Sequence, residues 1–340
     1  MTKEKLGIIS SYNELCGNAS YTKVLVDELS KYYEVVVVPL NVELLRKKNS
    51  FAAEEHIKKV CEQLKTLDCV NIQFEAGLFG SDIRLIWRRF RAIGESCKKL
   101  VLTMHRYHGK EKYPGVKLLI RSLLRKELKK RSMEIQLAYS NNRYVPLYNK
   151  VVKFCKKRNA PIIVHTAKER DLIQSICKYE QVYDHPLCFF DHSVLEEIKN
   201  KQTRKEFCSQ FNLVENKIYI GIFGFISAYK GYETIIRAMQ FLPKHYELLI
   251  FGAQHPHTIN LNEKINPYIG DLLELIAQKK LSSRIKFYGS LNDEEFLRAL
   301  IFCDYNVLPY LEVNQGGSAI AALTLEIGAH SIFSQNRAFM

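Results

Sequence analysis

The chain has 340 residues, 47% of them hydrophobic and 25% charged, and a formal net charge of +14. That length accommodates two domains with separate cores, and the composition excludes a disordered or fibrous chain. No run of about 18 apolar residues occurs, which excludes a bilayer-spanning helix, and nine cysteines without a C-x-x-C pair argue against a disulfide framework or a zinc site.

The opening residues, MTKEKLGIISSYNELCG, place two lysines before a short apolar run. The run is too brief for a signal-peptide core and leads into a loop, so it reads as a first strand over 6–10. Further strand patterns follow at 34–38, 69–73, 100–104 and 161–164, with helical periodicity between them. The rhythm restarts in the second half with strands at 218–223, 246–251, 284–287, 305–308 and 331–333. Helices at 231–239, 269–279, 293–302 and 317–327 separate those strands. Strands alternating with helices predict parallel sheets covered on both faces. The polar stretch 191–216 divides the two series, giving an N-terminal domain over 1–190 and a C-terminal domain over 191–340. In such sheets ligands bind beyond the carboxyl ends of the strands.

Two loops at such ends carry the chemistry. The first lies in Gly-Ile-Phe-Gly-Phe-Ile-Ser-Ala-Tyr-Lys-Gly-Tyr-Glu, residues 221–233, where a strand runs into Gly224 and Lys230-Gly231 opens a helix. Backbone N–H groups of such a loop can approach a phosphate while the lysine supplies countercharge. It is not a P-loop, because G-x-x-x-x-G-K-[ST] is absent, and it also reads as an ordinary tight turn with a solvated lysine. The second is Leu308 to Leu323, in which Gly316-Gly317-Ser318 starts an alanine-rich helix. Bare glycines at a helix N-terminus expose unpaired donors at the positive end of the dipole, or simply allow close packing on the sheet.

These segments and their surroundings resemble the retaining GT-B glycosyltransferases of glycosyltransferase family 4. The resemblance rests on Cys16-Gly17-Asn18, on Ile72-Gln73-Phe74-Glu75 with Gly77 and Phe79, and on Thr103-Met104-His105. It continues through Gly224, Lys230-Gly231, Phe251-Gly252, Phe287-Tyr288-Gly289, Asp304 and the loop from Pro309 to Ser318. It implies an α/β fold of the GT-B type, two doubly wound Rossmann-like domains facing across a cleft, with the donor held by the C-terminal one. It further implies that Lys230 neutralises a donor diphosphate, with Gly224, the amides of Gly316 and Gly317, and Ser318 beside it, while Gly17 lets a first-domain loop approach. His105 and Glu312 would be the catalytic-site side chains, touching the transferred sugar and its hydroxyls, and Gly289, Ser290 and Leu291 would hold the base. The implied activity is transfer from a nucleotide-sugar donor with retention of configuration, without metal or other cofactor, since no D-x-D or metal-spaced cluster occurs.

The sequence departs from the family pattern at three points. Phe225 stands where many relatives carry an arginine, and Glu312 and Glu326 lie fourteen apart instead of in an E-x7-E arrangement. The closing helices usual after the last strand have no counterpart before Met340. His165, after its strand, either faces the cleft or, as such residues more often do, serves the structure, and Glu75 either serves an acceptor hydroxyl or caps a loop, the second being the favoured reading.

The positive charge concentrates in the first domain. An amphipathic pattern from Pro114 to Arg131 sets Val116, Leu119, Ile120, Leu123, Leu124 and Leu128 against seven basic residues. Arg84, Arg88, Arg89 and Arg91 surround Trp87, and Lys150, Lys153, Lys156, Lys157 and Arg158 follow later. Such faces are either solvated or lie on an anionic membrane surface. With a lipid-linked or glycan acceptor, the expectation is a cytoplasmic protein, peripheral on the inner face of the membrane. A nucleic-acid-binding protein would share the charge, but no nucleic-acid module is recognisable. A GT-B-like protein that binds a nucleotide-sugar without transferring it is the other alternative.

Overall fold

The computed structural model describes residues 3–12, 17–47, 50–107, 109, 128–189, 192–201, 203–254, 266–311, 318–335 and 339. Two compact units emerge, Met1–Leu187 and Cys188–Met340.

In chain order the first unit contains β1 (Lys5–Ser10), α1 (Gly17–Leu29), β2 (Glu34–Pro39), α2 (Val42–Arg46), α3 (Phe51–Leu64), β3 (Cys69–Phe74) and α4 (Ala76–Phe79). It continues with α5 (Ile83–Ser96), β4 (Lys99–Met104), α6 (Leu128–Lys157), β5 (Ile162–Val164), α7 (Ala167–Cys177) and β6 (Val182–Asp184). Its six strands form one parallel sheet in the order β2-β1-β3-β4-β5-β6. The inner strands β1 and β3 are buried on both faces after their first residues, as a helix-covered parallel sheet requires, and β3 carries two buried polar side chains, Asn71 and Gln73, among its apolar ones. Strand β6 has no counterpart in the sequence reading. It is three residues long with only Val182 buried, which leaves little periodic signal.

The second unit contains α8 (His192–Lys201), α9 (Arg204–Gln210), β7 (Ile218–Phe223), α10 (Tyr232–Ala238), β8 (Tyr246–Phe251), α11 (Pro267–Gln278) and β9 (Ile285–Phe287). Then come α12 (Asp293–Phe302), β10 (Tyr305–Leu308), α13 (Ala319–Glu326) and β11 (Ser331–Phe333). All five strands are parallel in the order β11-β10-β7-β8-β9. Side chains at the N-caps fix several helix starts: Asn41, Ser50, Asp82, Thr166, Thr203, Asn292 and Ser318 each accept a first-turn backbone N–H.

Each sheet reverses its winding once. In the first unit β1 is flanked by β2 and β3, and in the second β7 is flanked by β8 and β10. Loops leaving the two strands at a reversal run to opposite faces and open a crevice at their carboxyl ends. Gly224 follows β7 and Pro309 follows β10, so the two candidate loops flank the reversal in the second unit.

Some of the basic residues are committed to structure. Arg89 is 1% exposed, and its guanidinium donates to the carbonyls of Leu45 (2.7 Å) and Phe79 (2.8 Å) and to Glu54. Arg88 also pairs with Glu54, Arg91 pairs with Glu95, and Trp87 packs on the core against Phe90 and Phe154. The segment 110–127, with most of the amphipathic basic pattern, lies outside the described residues. Among the described residues no helix is long and apolar enough to cross a membrane.

Candidate functional site

The second unit builds its site at the reversal. Gly224 takes a φ of +91°, which a β-carbon would strain, and its N–H donates to the Phe251 carbonyl at 2.9 Å. A single 3₁₀ turn, Ala228–Lys230, then leads to Gly231 at φ +73°. There the backbone lies so close to the Pro309 carbonyl that any side chain would collide with it. Leu311 N–H donates to the Tyr229 carbonyl at 2.7 Å, so the loops after β7 and β10 are tied directly to each other.

That turn folds Lys230 back under the sheet end. Lys230 is 6% exposed, its Nζ donates to the Phe223 carbonyl at 3.1 Å, and it lies 5.7 Å from the centre of the Tyr310 ring. No ion pair with a described carboxylate compensates the ammonium, and burial lowers its pKa to about 8. Tyr310 hydroxyl and Ser318 Oγ are 3.3 Å apart, and Ser318 caps α13 by accepting the Ala321 N–H. Ile320 also approaches Gly224. The Gly224–Gly231 loop and the start of α13 therefore form one cluster. Between Gly224 and Lys230, the Ser227 hydroxyl is buried with no hydrogen-bond partner among the described residues. A buried cation and an orphaned hydroxyl in one turn, Lys230 N–H donating to the Ser227 carbonyl, are the features of an anion site, because both groups gain what burial removed.

Glu312, Gly316 and Gly317 lie outside the described residues. Gly289, at φ +70°, follows edge strand β9 with Ser290 and Leu291, on the same end of the sheet as Gly224 but two strands away. Tyr288 beside it stacks on Phe251 at 5.2 Å, and its hydroxyl donates to the Phe211 carbonyl.

In the first unit, Gly17 is the first residue of α1. His105 follows β4, and both its ring nitrogens are engaged: Nε2 lies 2.7 Å from Gln73 Oε1 and Nδ1 lies 2.9 Å from His165 Nε2. Tyr21 from α1 meets both imidazoles edge-on, each at 5.4 Å. Burial, reinforced by His165, takes His105 down to about 3, and burial takes His165 down to about 4, so both rings are neutral at pH 7. The expectation of a structural His165 gains specific content, since it is the direct partner of His105.

Two carboxylates complete this end of the first unit. Glu169 accepts the N–H groups of Tyr107 (3.0 Å) and His165, yet burial raises it to about 7. Glu75 occupies the N-cap position of α4 but makes no capping hydrogen bond, contrary to its reading as a loop cap. Burial raises its pKa, and nearby Arg106 opposes the shift. Sequence reasoning missed Glu169, Ser227 and Tyr310. Ser227, between Gly224 and Lys230, and Tyr310, within the loop from Pro309 to Ser318, had a local signal; Glu169 had none. Among the described residues no group of three His, Cys, Asp or Glu side chains could hold a metal ion.

No protein-family model matches the sequence, and no curated protein matches it. Solved structures do. HepE of Anabaena, in complex with UDP and glucose, is similar with a TM-score of 0.60 at 14% identity, covering 98% of this chain and 82% of that one. Sucrose-phosphate synthase from Thermosynechococcus elongatus gives a TM-score of 0.62 at 16% identity, over 98% of this chain and 82% of the other. A glycosyltransferase from Rickettsia africae gives 0.60 at 13% identity, over 98% and 80%. At such identities the likeness establishes architecture: the chain has the GT-B fold of two Rossmann-like α/β domains.

Proposed function

We propose that the protein is a glycosyltransferase that moves a sugar from a nucleotide-diphosphate donor, held by the second unit, to a glycan or lipid-linked acceptor. The observation that carries this reading is Lys230: an ammonium buried at the sheet reversal, uncompensated by any described carboxylate, in one turn with the unpartnered Ser227 hydroxyl and in one cluster with a capped helix start. A pyrophosphate is the ligand that supplies the missing charge and acceptors.

In this reading Lys230, Ser227 and the amides beginning α13, with Gly224 giving close backbone approach, stabilise the negative charge that grows on the departing diphosphate. Preorganised donors in a dry site do this without reorganisation at the moment of bond breaking. The lysine would take the countercharge role without a divalent ion. The loop Gly289–Leu291 lies two strand spacings, about 10 Å, from the Gly224 loop, which suits a base at one end and its diphosphate at the other. His105, as a neutral imidazole, is assigned to the transferred sugar, Glu312 to its hydroxyls, and Gly17 to the loop that approaches the diphosphate. Retention of configuration and a cytoplasmic, membrane-peripheral setting complete the proposal. For the latter the support is the net charge of +14 and the exposed Lys150, Lys153 and Lys157 along α6.

HepE was solved with UDP and with UDP-glucose, which makes UDP the first nucleotide to try. The deciding experiment is calorimetric titration of UDP, GDP and ADP into wild type and Lys230→Ala, followed by release of sugar from the donor that binds. One nucleotide should bind wild type and lose at least about tenfold in affinity with the variant, the loss of one charged contact. Absence of any nucleotide binding, or equal binding by both proteins, would overturn the reading; binding without turnover would leave a nucleotide-sugar-binding protein.

A further inference from the structure

One face of the first sheet carries a buried polar stripe with period two along neighbouring strands: Asn71 and Gln73 on β3, Thr103 on β4 and His105 just beyond it. His165, after β5, extends it. Gln73 is fully buried, and Asn71, Thr103 and His165 are less than a tenth exposed. The polar atoms of these four side chains therefore need partners within the protein, and His105, partly buried, stands between two of them.

The protons can be counted. Three contacts run through the two imidazoles: His105 Nε2 to Gln73 Oε1 at 2.7 Å, His105 Nδ1 to His165 Nε2 at 2.9 Å, and His165 Nδ1 to the backbone carbonyl of His185 at 3.1 Å. Both outer partners are acceptors, so three N–H protons are required, whereas two neutral imidazoles carry two. The carbonyl of His185 cannot change its role. The amides of Gln73 and Asn71 can, because a half-turn exchanges oxygen for nitrogen, and the network decides which faces which.

With His165 Nδ1–H committed to His185, His165 Nε2 is bare and must accept from His105 Nδ1–H. His105 Nε2 is then bare and must accept from the Gln73 amide nitrogen. The Gln73 oxygen next needs the Asn71 amide nitrogen, and the Asn71 oxygen needs the Thr103 hydroxyl, whose Oγ1 lies 3.0 Å from that amide. Donation then runs one way from Thr103 to His185 with no atom left over. Adding one proton reverses the two amides and restores the orientation with Gln73 Oε1 facing His105.

We propose that Asn71, Gln73, His105 and His165 form a single proton-counted chain in which His165 and Gln73 act as positioning residues, holding His105 as the neutral Nδ1–H tautomer. Tyr21 from α1, the His185 ring beyond β6 and Glu169 from α7 surround the pair, while Glu75 and Arg106 stand at the ends of β3 and β4. None of them donates to a ring nitrogen of the pair in the described hydrogen bonds. The tautomer itself does not depend on the proposed function; only its use in sugar transfer does. Held this way, His105 offers a substrate no free N–H, so its part in transfer is to present an uncharged, fixed ring.

The test is imidazole nitrogen NMR on ¹⁵N-histidine-labelled full-length protein at pH 7. His105 and His165 should both show protonated Nδ1 and bare Nε2. Protonated Nε2 on either ring, or an imidazolium, overturns the proposal. In Gln73→Glu the carboxylate can only accept, so the pair should gain a third ring proton and become an imidazolium at pH 7; a spectrum unchanged from wild type also overturns it. Should that variant fail to fold, Gln73→Met removes the donor to His105 Nε2, and the resonance of that nitrogen should move while His165 keeps Nδ1–H. The kinetic arm is separate. Gln73→Glu should lower donor turnover by on the order of 10- to 100-fold with UDP affinity within twofold of wild type. No turnover by wild type would count against the glycosyltransferase reading and leave the NMR result to decide this one.

Discussion

A β-carbon on Gly224 would collide with the Nζ of Lys230. The glycine is therefore needed twice, once for its φ of +91° and once for the space that the lysine fills. Gly224→Ala should lose about 1–3 kcal/mol of stability from backbone strain alone, and UDP binding should weaken with it because the ammonium must move. Thermal melting with and without UDP checks both, and a variant with wild-type melting and affinity would show that the loop tolerates a side chain.

Lys230 makes a second, signed prediction. Its pKa in the folded chain is about 8 against a usual 10.5, the fall caused by burial. Between those values the unfolded chain holds more protons, so this group makes stability rise with pH across pH 8–10.5. Below pH 8 it costs a constant amount, about 3 kcal/mol. Without nucleotide, Lys230→Met should accordingly melt above wild type at pH 7, and the gap should narrow toward pH 10.5. A bound diphosphate should restore the proton. Near pH 8, titrations in buffers of different ionisation heat should show uptake of about half a proton, lost in the variant.

All the strands but β6 were legible because buried parallel strands are largely apolar runs: Ile218–Phe223, and Tyr246–Phe251 with Glu247 as its single charge, are fixed by their own residues. Two kinds of feature were not. Helices α8 and α9 lie in a stretch so rich in charge that it reads as a linker, although Leu195, Phe207 and Cys208 are buried there. Pairings across the sheet leave no local spacing at all. His105 and His165 are sixty residues apart and meet only because β4 and β5 are adjacent. The burial of Lys230 and Arg89 is equally silent, because lysine and arginine are ordinarily exposed and nothing beside them in the sequence announces a buried ammonium on the Phe223 carbonyl or a guanidinium held by two carbonyls.

Glu169 predicts the opposite pH slope. Burial raises its carboxyl from the usual 4.5 to about 7 in spite of the N–H groups it accepts. Here the folded chain holds more protons between pH 4.5 and 7, so this residue's contribution falls by about 3 kcal/mol as pH rises through that window. His105 and His165, held below their ordinary value, act in the other direction over part of the same range. The readout is therefore the difference between wild type and Glu169→Gln, whose oxygen can still accept the Tyr107 N–H. Urea midpoints at pH 5 and pH 7.5 should show the variant gaining on wild type at the higher pH. A constant difference would place the raised carboxyl elsewhere.

Arg89 tests whether the basic face of α5 is a surface or a support. Its guanidinium satisfies two backbone carbonyls, Leu45 and Phe79, that have no alternative donor among the described contacts, and it shares Glu54 with Arg88. Arg89→Met keeps the volume but orphans both carbonyls, at about 1–3 kcal/mol each. Arg91, two residues on, is exposed and among the described residues pairs only with Glu95 one turn away, and Arg91→Met should stay within about 0.5 kcal/mol of wild type. Urea unfolding followed by Trp87 fluorescence, which reports on the first unit, separates the two. If both variants unfold at the wild-type midpoint, the carbonyls are satisfied by other means. If Arg89→Met alone loses about 2–6 kcal/mol, this arginine is withdrawn from any charge available to an anionic surface, and binding to acidic vesicles must come from other residues such as Lys150, Lys153 and Lys157.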